Sequence, residues 1–256
     1  LASAGAVFQA ILRNPLADPY VLGVSGGGAL GAALAILAGW HILHPFLLPL
    51  SAFVAAAATL ALVYTLAARE GAAPSVHGLI LGGVIVSAMA SSLLTLLISL
   101  ADAEGLHSVT WWTLGNLQGG PASLLAACAV CATAGFLTDL ALARDLDALA
   151  LGTETAHNLG VRTGRVVAIA LAAATLSAAA AVALAGLIGF VGLIVPHAMR
   201  HLTGAAHRRL LPAAALAGGA LLVLCDTLAR TLLAPRELPV GVITAFIGGP
   251  FFLVLL

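Results

Sequence analysis

The sequence predicts an all-α, polytopic helical membrane protein, and three observations predict it. Of 256 residues, 62% are hydrophobic and only 8% are charged, where a soluble domain carries about 25% charged residues. Mean hydropathy is +1.14. The apolar runs are long and continuous, rich in Ala and Leu, without the two-residue alternation of a barrel strand. Ten basic and ten acidic side chains cannot wet a surface of this size, so the solvent is largely lipid. In hydrocarbon every backbone N–H and C=O needs an internal partner, which leaves helices or a closed barrel. The missing alternation selects helices.

A membrane helix takes roughly 20 apolar residues. By that ruler the chain holds eight complete spans and one partial span. Residues 1–12 form the tail of the partial span. Complete spans follow near 21–40, 47–68, 76–100, 121–142, 163–185, 187–203, 211–233 and 240–256. The chain opens with neither a Met nor a charged leader region and is expected to lack its true N-terminus.

Orientation follows from the basic residues, which favour the cytoplasmic side. Arg13, Arg69, Arg144, Arg162, Arg165, Arg208 and Arg209 fall in alternate loops, with Arg200 near the same side. The opposite loops hold only Arg230 and Arg236, beside Asp102, Glu104 and Glu237. The first set is therefore expected inside, which also places the C-terminus in the cytoplasm. The longest polar segment on that side is 144–162, where Gly152 and Gly160 can break the chain into two short helices. Such an amphipathic pair reads either as a docking element for a soluble partner or as a solvated connector.

Two absences narrow the chemistry. There is no lysine, so a G-x-x-x-x-G-K-[ST] phosphate loop is impossible, and any ATP must be hydrolysed by another chain. Cys128, Cys131 and Cys225 lie in apolar stretches, which argues against a disulfide framework. Gly23-Val24-Ser25-Gly26-Gly27 satisfies G-x-S-x-G, but the motif requires a preceding strand and here opens a membrane helix. Close helix packing explains the glycine run more simply. His197 and His201 share a helix face at i, i+4, yet no carboxylate or cysteine near them completes a metal set. No cofactor, resident metal or nucleic-acid partner is expected.

Ionisable residues in spans carry more weight, since lipid penalises them. Asp226 and Arg230 stand at i, i+4 near an outer helix end; they can pair with each other, or Arg230 can meet an acidic partner. Asp139 is expected to reach the interface at the inner end of its span. Ser87, Ser91, Ser92 and Thr95 recur at helical spacing. That mildly polar stripe suits a translocation pathway, or equally interhelical hydrogen bonds worth roughly 0.6 kcal/mol each.

The segment Arg13–Gly31, RNPLADPYVLGVSGGGALG, closely resembles the signature of the FecCD-type permeases, the membrane subunits of ABC importers for iron siderophores, haem and cobalamin. Further matches follow in family order: Trp112–Leu117, Leu151–Val161, Gly189–His197, Leu210–Pro212, Asp226–Arg230 and Glu237–Gly241. The resemblance implies a BtuC-like permease fold filling residues 1–256 as one transmembrane domain, most simply for an iron-chelate (siderophore) substrate, alternatively for haem or cobalamin. It implies a homodimer with the pathway on its axis, a separate ABC ATPase subunit, a periplasmic binding protein and a place in the bacterial inner membrane. The coupling segment that meets the ATPase would use Asp147, Gly152, Glu154, Asn158, Leu159 and Gly160. Arg230 would dock the binding protein. An inner gate would involve Asn14 and Leu16 with Ser75 and Val76, and Ser87, Ser91 and Thr95 would line the pathway. Two rivals stand beside this reading. An ion-coupled secondary transporter would favour carboxylates at mid-span, and these are nearly absent. An intramembrane hydrolase would need Ser25 activated by a base.

Overall fold

The computed structural model describes residues 1–68 and 74–255. Arg69, used above for orientation, and Leu256, at the end of the last expected span, lie outside the described residues. Every regular element among them is helical.

The order is α1 (Ala2–Leu12), a 3-10 turn (Pro19–Leu22), α2 (Val24–Leu37), α3 (Trp40–Leu43), α4 (Leu47–Ala67) and α5 (Val76–Leu100). Then come α6 (Ala103–Thr113), α7 (Ala122–Ala141), α8 (Ala143–Ala150), α9 (Thr153–Asn158), α10 (Thr163–Ala185), α11 (Val191–Thr203), α12 (His207–Thr231) and α13 (Val240–Leu255). Five helices, α4, α5, α7, α10 and α12, are each long and apolar enough to cross a membrane. At 1.5 Å per residue their 20 to 25 residues extend about 30 to 37 Å, against a hydrocarbon core of about 30 Å. The remaining expected spans are shorter helices. The 21–40 run is broken into the 3-10 turn, α2 and α3, the 187–203 run holds the 13-residue α11, and α13 has 16 residues.

Capping explains several boundaries. Ser75 accepts a hydrogen bond from the Gly78 N–H and starts α5, and Asp102 does the same for α6 through Gly105. Asp18 accepts from the Tyr20 N–H and starts the 3-10 turn, with Pro19 at its first position.

Lipid removes most of the hydrophobic drive between helices, so packing of small residues and hydrogen bonds must hold them together. The centre of the bundle is built that way. α10 and α1 are buried along most of their length, and eight of the buried α10 residues are alanine: Ala170, Ala173, Ala174, Ala178, Ala179, Ala180, Ala183 and Ala185 flank Val182 and Leu171 in a nearly continuous run, completed by the buried Thr175 and Ser177. The glycine run of α2 serves the same end. Gly27 and Gly31 bring α2 against the α4 backbone at Ala55 and Ser51, and the Ser51 hydroxyl donates to the Gly31 carbonyl at 2.7 Å. A Cβ at either glycine would collide with that backbone. The large side chains Leu81, Val84, Met89, Leu216 and Val223 point outward from α5 and α12.

Asp139 departs from expectation. It is only 2% exposed rather than reaching the interface, and its Oδ1 has no hydrogen-bond partner among the described residues.

Candidate functional site

Three zones of the bundle hold the polar and irregular elements: an arginine-rich end, an interior where two helices are interrupted, and the opposite end.

At the arginine-rich end, residues 144–162 fold as α8 and α9, separated at Gly152 (φ 123°) and closed at Gly160 (φ 86°). These left-handed-side φ values are what glycine supplies without strain. Leu146 and Leu149 are buried in the main core and anchor α8. Asp147 turns to α12, where its Oδ1 accepts from the His207 N–H at 2.8 Å and lies 2.6 Å from His207 Nδ1. One carboxylate thus caps the first turn of α12 and holds its first side chain, which is almost fully buried. The outer face of the segment is different. Glu154, Asn158, Leu159 and Gly160 are exposed, with Leu151 at 71% and Leu159 at 65%. Gly152 is buried beneath that face, near the Arg13 guanidinium. The two leucines stand bare among polar residues on this face.

The interior zone begins where α1 ends. Arg13 adopts φ 48°, the chain reverses through Asn14–Asp18, and the 3-10 turn leads into α2. A second interruption, 186–190, separates α10 from α11, and the two interruptions pack together. The Tyr20 hydroxyl donates to the Ile188 carbonyl at 2.9 Å and accepts from the Ile188 N–H at 3.0 Å. The Asn116 N–H donates to the Ala185 carbonyl at 2.8 Å, which caps the open end of α10. Gly115, Gly186 and Gly241 allow these backbones to touch, since a Cβ on each would meet a carbonyl of Leu187, Trp112 or Leu114. Non-helical backbone at membrane depth is tolerated only when it is buried and paired like this. Close by, Gln9 donates to the Gly192 carbonyl and accepts from Arg200, so a guanidinium inside the bundle is met by a neutral amide.

The positions proposed as a gate are separate in hydrogen bonding. The exposed Asn14 accepts from the Leu16 N–H at 2.9 Å, Ser75 is occupied as the α5 cap, and the half-buried Val76 packs on the core. On α5, the Ser87 hydroxyl is buried beside Gly23 and Gly26 without a hydrogen-bond partner among the described residues. Ser91 and Thr95 are exposed, and the Thr95 hydroxyl donates to the Ser91 carbonyl at 2.9 Å. The stripe therefore splits, with Ser87 facing α2 and the other two facing out. Ser25, at the start of α2, makes no hydrogen bond to a histidine among the described residues, and no strand precedes it.

At the opposite end Arg230 Nε donates to Asp226 Oδ2 at 2.9 Å, so the pair forms within α12. Gln118, after α6, donates to Glu237 at 3.1 Å. Sequence reasoning missed Tyr20, Gln9 and His207. Each is a polar side chain beside a helix end or break, which is the signal that could have found it.

Comparison with known proteins gives a consistent result. The chain is 39% identical to the hemin transport system permease protein HmuU of Yersinia pestis, covering 99% of this chain and 76% of that protein. It is 42% identical to the cobalamin import system permease protein BtuC of Halobacterium salinarum, covering 100% and 68%. Its fold superposes with a TM-score of 0.90 on a chain described as an inward-facing, metal-chelate type ABC transporter, at 36% identity, covering 100% of this chain and 81% of that one. The FecCD transport family model matches residues 1–256. The chain belongs to the FecCD transport family.

Proposed function

We propose that this chain is the membrane-spanning permease subunit of a bacterial ABC importer. It carries an iron-chelate substrate of the siderophore type across the inner membrane, with ATP hydrolysed by a separate subunit. Residues 1–256 act as one permease domain, and the C-terminus lies in the cytoplasm. The relatives that support this are named for haemin, cobalamin and a metal chelate, and all three cargoes are bulky metal chelates. Haem or cobalamin is the alternative cargo, favoured by the two named relatives.

One observation carries the reading: the α8–α9 segment is anchored on its inner face and bare on its outer face. Leu146, Leu149 and the Asp147–His207 contact tie it to the bundle, while Leu151, Glu154, Asn158, Leu159 and Gly160 are open to a soluble partner. Closure of paired ATPase subunits would push on that face and switch access between the two sides of the membrane. Gly152 sets the break between the two short helices. Asn14 and Leu16 with Ser75 and Val76 narrow the inner mouth. Ser91 and Thr95, exposed on α5, face the pathway between two copies of the chain in a homodimer, with Ser87 behind them. Arg230 meets a carboxylate on the periplasmic binding protein. The chain supplies shape and movement rather than covalent chemistry.

Co-purification with a candidate ABC ATPase subunit tests the reading. Glu154→Arg and Leu159→Asp alter exposed side chains only, so both variants should fold yet lose the ATPase. Retention of the ATPase by both variants would remove the coupling assignment, and failure of the wild type to bind any such subunit would remove the importer assignment.

A further inference from the structure

Between α7, α8 and α12 lies a cavity of about 590 Å³ that none of the roles above uses. Its wall has two chemistries. Leu137, Leu140, Ala141 and Ala143 form an apolar side, and Leu137 is 56% exposed on the outer surface of α7. Arg144, at the start of α8, and Arg208, at the start of α12, form the other side. Both arginines are exposed, and among the described residues neither makes an ion pair or a side-chain hydrogen bond. The carboxylates nearby are otherwise placed. Asp139 is buried outside the cavity wall, Asp147 is held by His207, and Asp145, next to Arg144 on α8, lies outside the wall and forms no ion pair among the described residues.

We infer that this cavity binds the phosphate headgroup of an anionic membrane lipid, held between Arg144 and Arg208. A guanidinium presents a planar fork of donors that matches phosphate oxygens, and two forks on one cavity match a single phosphate group. The apolar wall argues for a lipid over free phosphate. It continues onto the exposed face of α7 at Leu137, so acyl chains can follow Leu140 and Leu137 while the headgroup stays at the arginines. Basic pockets at the end of a transmembrane bundle are suited to anionic headgroups for this reason. The site would join α8 to α12 one residue away from His207, adding a second tie between the same two helices. The inference requires only that the chain spans a membrane, and it stands apart from the ATPase reading.

The test uses purified protein in nanodiscs of phosphatidylcholine, with or without phosphatidylglycerol, followed by native mass spectrometry of retained lipid. Wild type should retain phosphatidylglycerol over phosphatidylcholine. Arg144→Gln and Arg208→Gln should each weaken that preference about fivefold, and about 25-fold together. Arg209→Gln, which alters a neighbouring arginine outside the cavity wall, should leave it unchanged. If the double variant does not fold, Arg144→Lys with Arg208→Lys takes its place and should weaken retention while keeping the preference. Equal retention of both lipids by wild type, or equal losses in the Arg209 and cavity variants, would overturn the site. Displacement of the lipid by millimolar inorganic phosphate would overturn the lipid assignment in favour of a soluble anion.

Discussion

α5 and α10 look alike as sequence and differ as structure. Their most apolar stretches have mean hydropathies of 2.1 and 2.3, yet 22% of the first is buried inside the chain and 72% of the second. The difference lies in side-chain size. α10 carries AAATLSAAAAVALA, a surface that neighbouring backbones can approach on all sides, whereas α5 displays Leu81, Val84, Ile85, Met89, Leu93 and Leu96 outward. In lipid both are equally soluble, so hydropathy reports crossing and residue volume reports neighbours. Gly135 on α7 makes the same point from the other side, since a Cβ there would strike the Ala173 carbonyl and Ser177 of α10.

The largest effect should come from enlarging the centre. Ala174 and Ala178 are fully buried. Leucine at each overpacks the core and costs up to about 3 kcal/mol, so the pair should cost roughly 5 kcal/mol, close to the whole stability of a typical domain. The matched change on α5, Ala88→Leu with Ser92→Leu, falls on exposed positions and should stay within about 0.5 kcal/mol per residue. Thermal unfolding in detergent, followed by size-exclusion fluorescence, reads both. Similar losses in the two helices would mean that the α5 face is covered within one chain, and the contrast would collapse.

A middle-sized effect is expected where the bundle is interrupted. Tyr20→Phe keeps the ring and removes the hydroxyl that pairs both backbone groups of Ile188. A buried backbone group left without a partner costs about 1 to 3 kcal/mol, so a loss of about 2 kcal/mol is expected. The same change at Tyr64, which lines an apolar groove and whose hydroxyl makes no hydrogen bond among the described residues, should cost less. A Tyr20→Phe variant as stable as wild type would show that water or a shift of the 186–190 segment pairs Ile188 instead.

These interruptions mark where the sequence stopped being legible. The expected spans 47–68, 76–100, 121–142 and 163–185 differ by no more than a residue or so from α4, α5, α7 and α10. The expected 21–40 and 187–203 spans run through breaks because the broken segments are themselves apolar. Leu187, Ile188 and Phe190 give a hydropathy scale nothing to detect. The groups that pair this backbone, the Tyr20 hydroxyl at Ile188 and the Asn116 N–H at Ala185, come from distant parts of the chain, and only the folded bundle brings them together. The α8–α9 break at Gly152 and its end at Gly160 were legible, because glycine marks such φ values locally. That Asp147 would hold His207 was not, since the two lie 60 residues apart.

The smallest effect on stability should be at Arg230, and for that reason it separates fold from function most cleanly. Its guanidinium is bonded to Asp226 one turn earlier on the same exposed helix face, an arrangement that contributes little to a folded protein. Arg230→Ala should therefore leave the unfolding midpoint unchanged. If Arg230 docks the binding protein, the same variant should lower that protein's association rate, and added salt should shrink the difference, as expected for a charge at the rim of an interface. Asp226→Ala sharpens the test in the opposite direction. It frees the guanidinium from its intrahelical partner, so docking should be kept or strengthened while stability again stays constant. A lower midpoint in both variants, with docking unaltered, would assign the pair to holding the end of α12 rather than to meeting a partner.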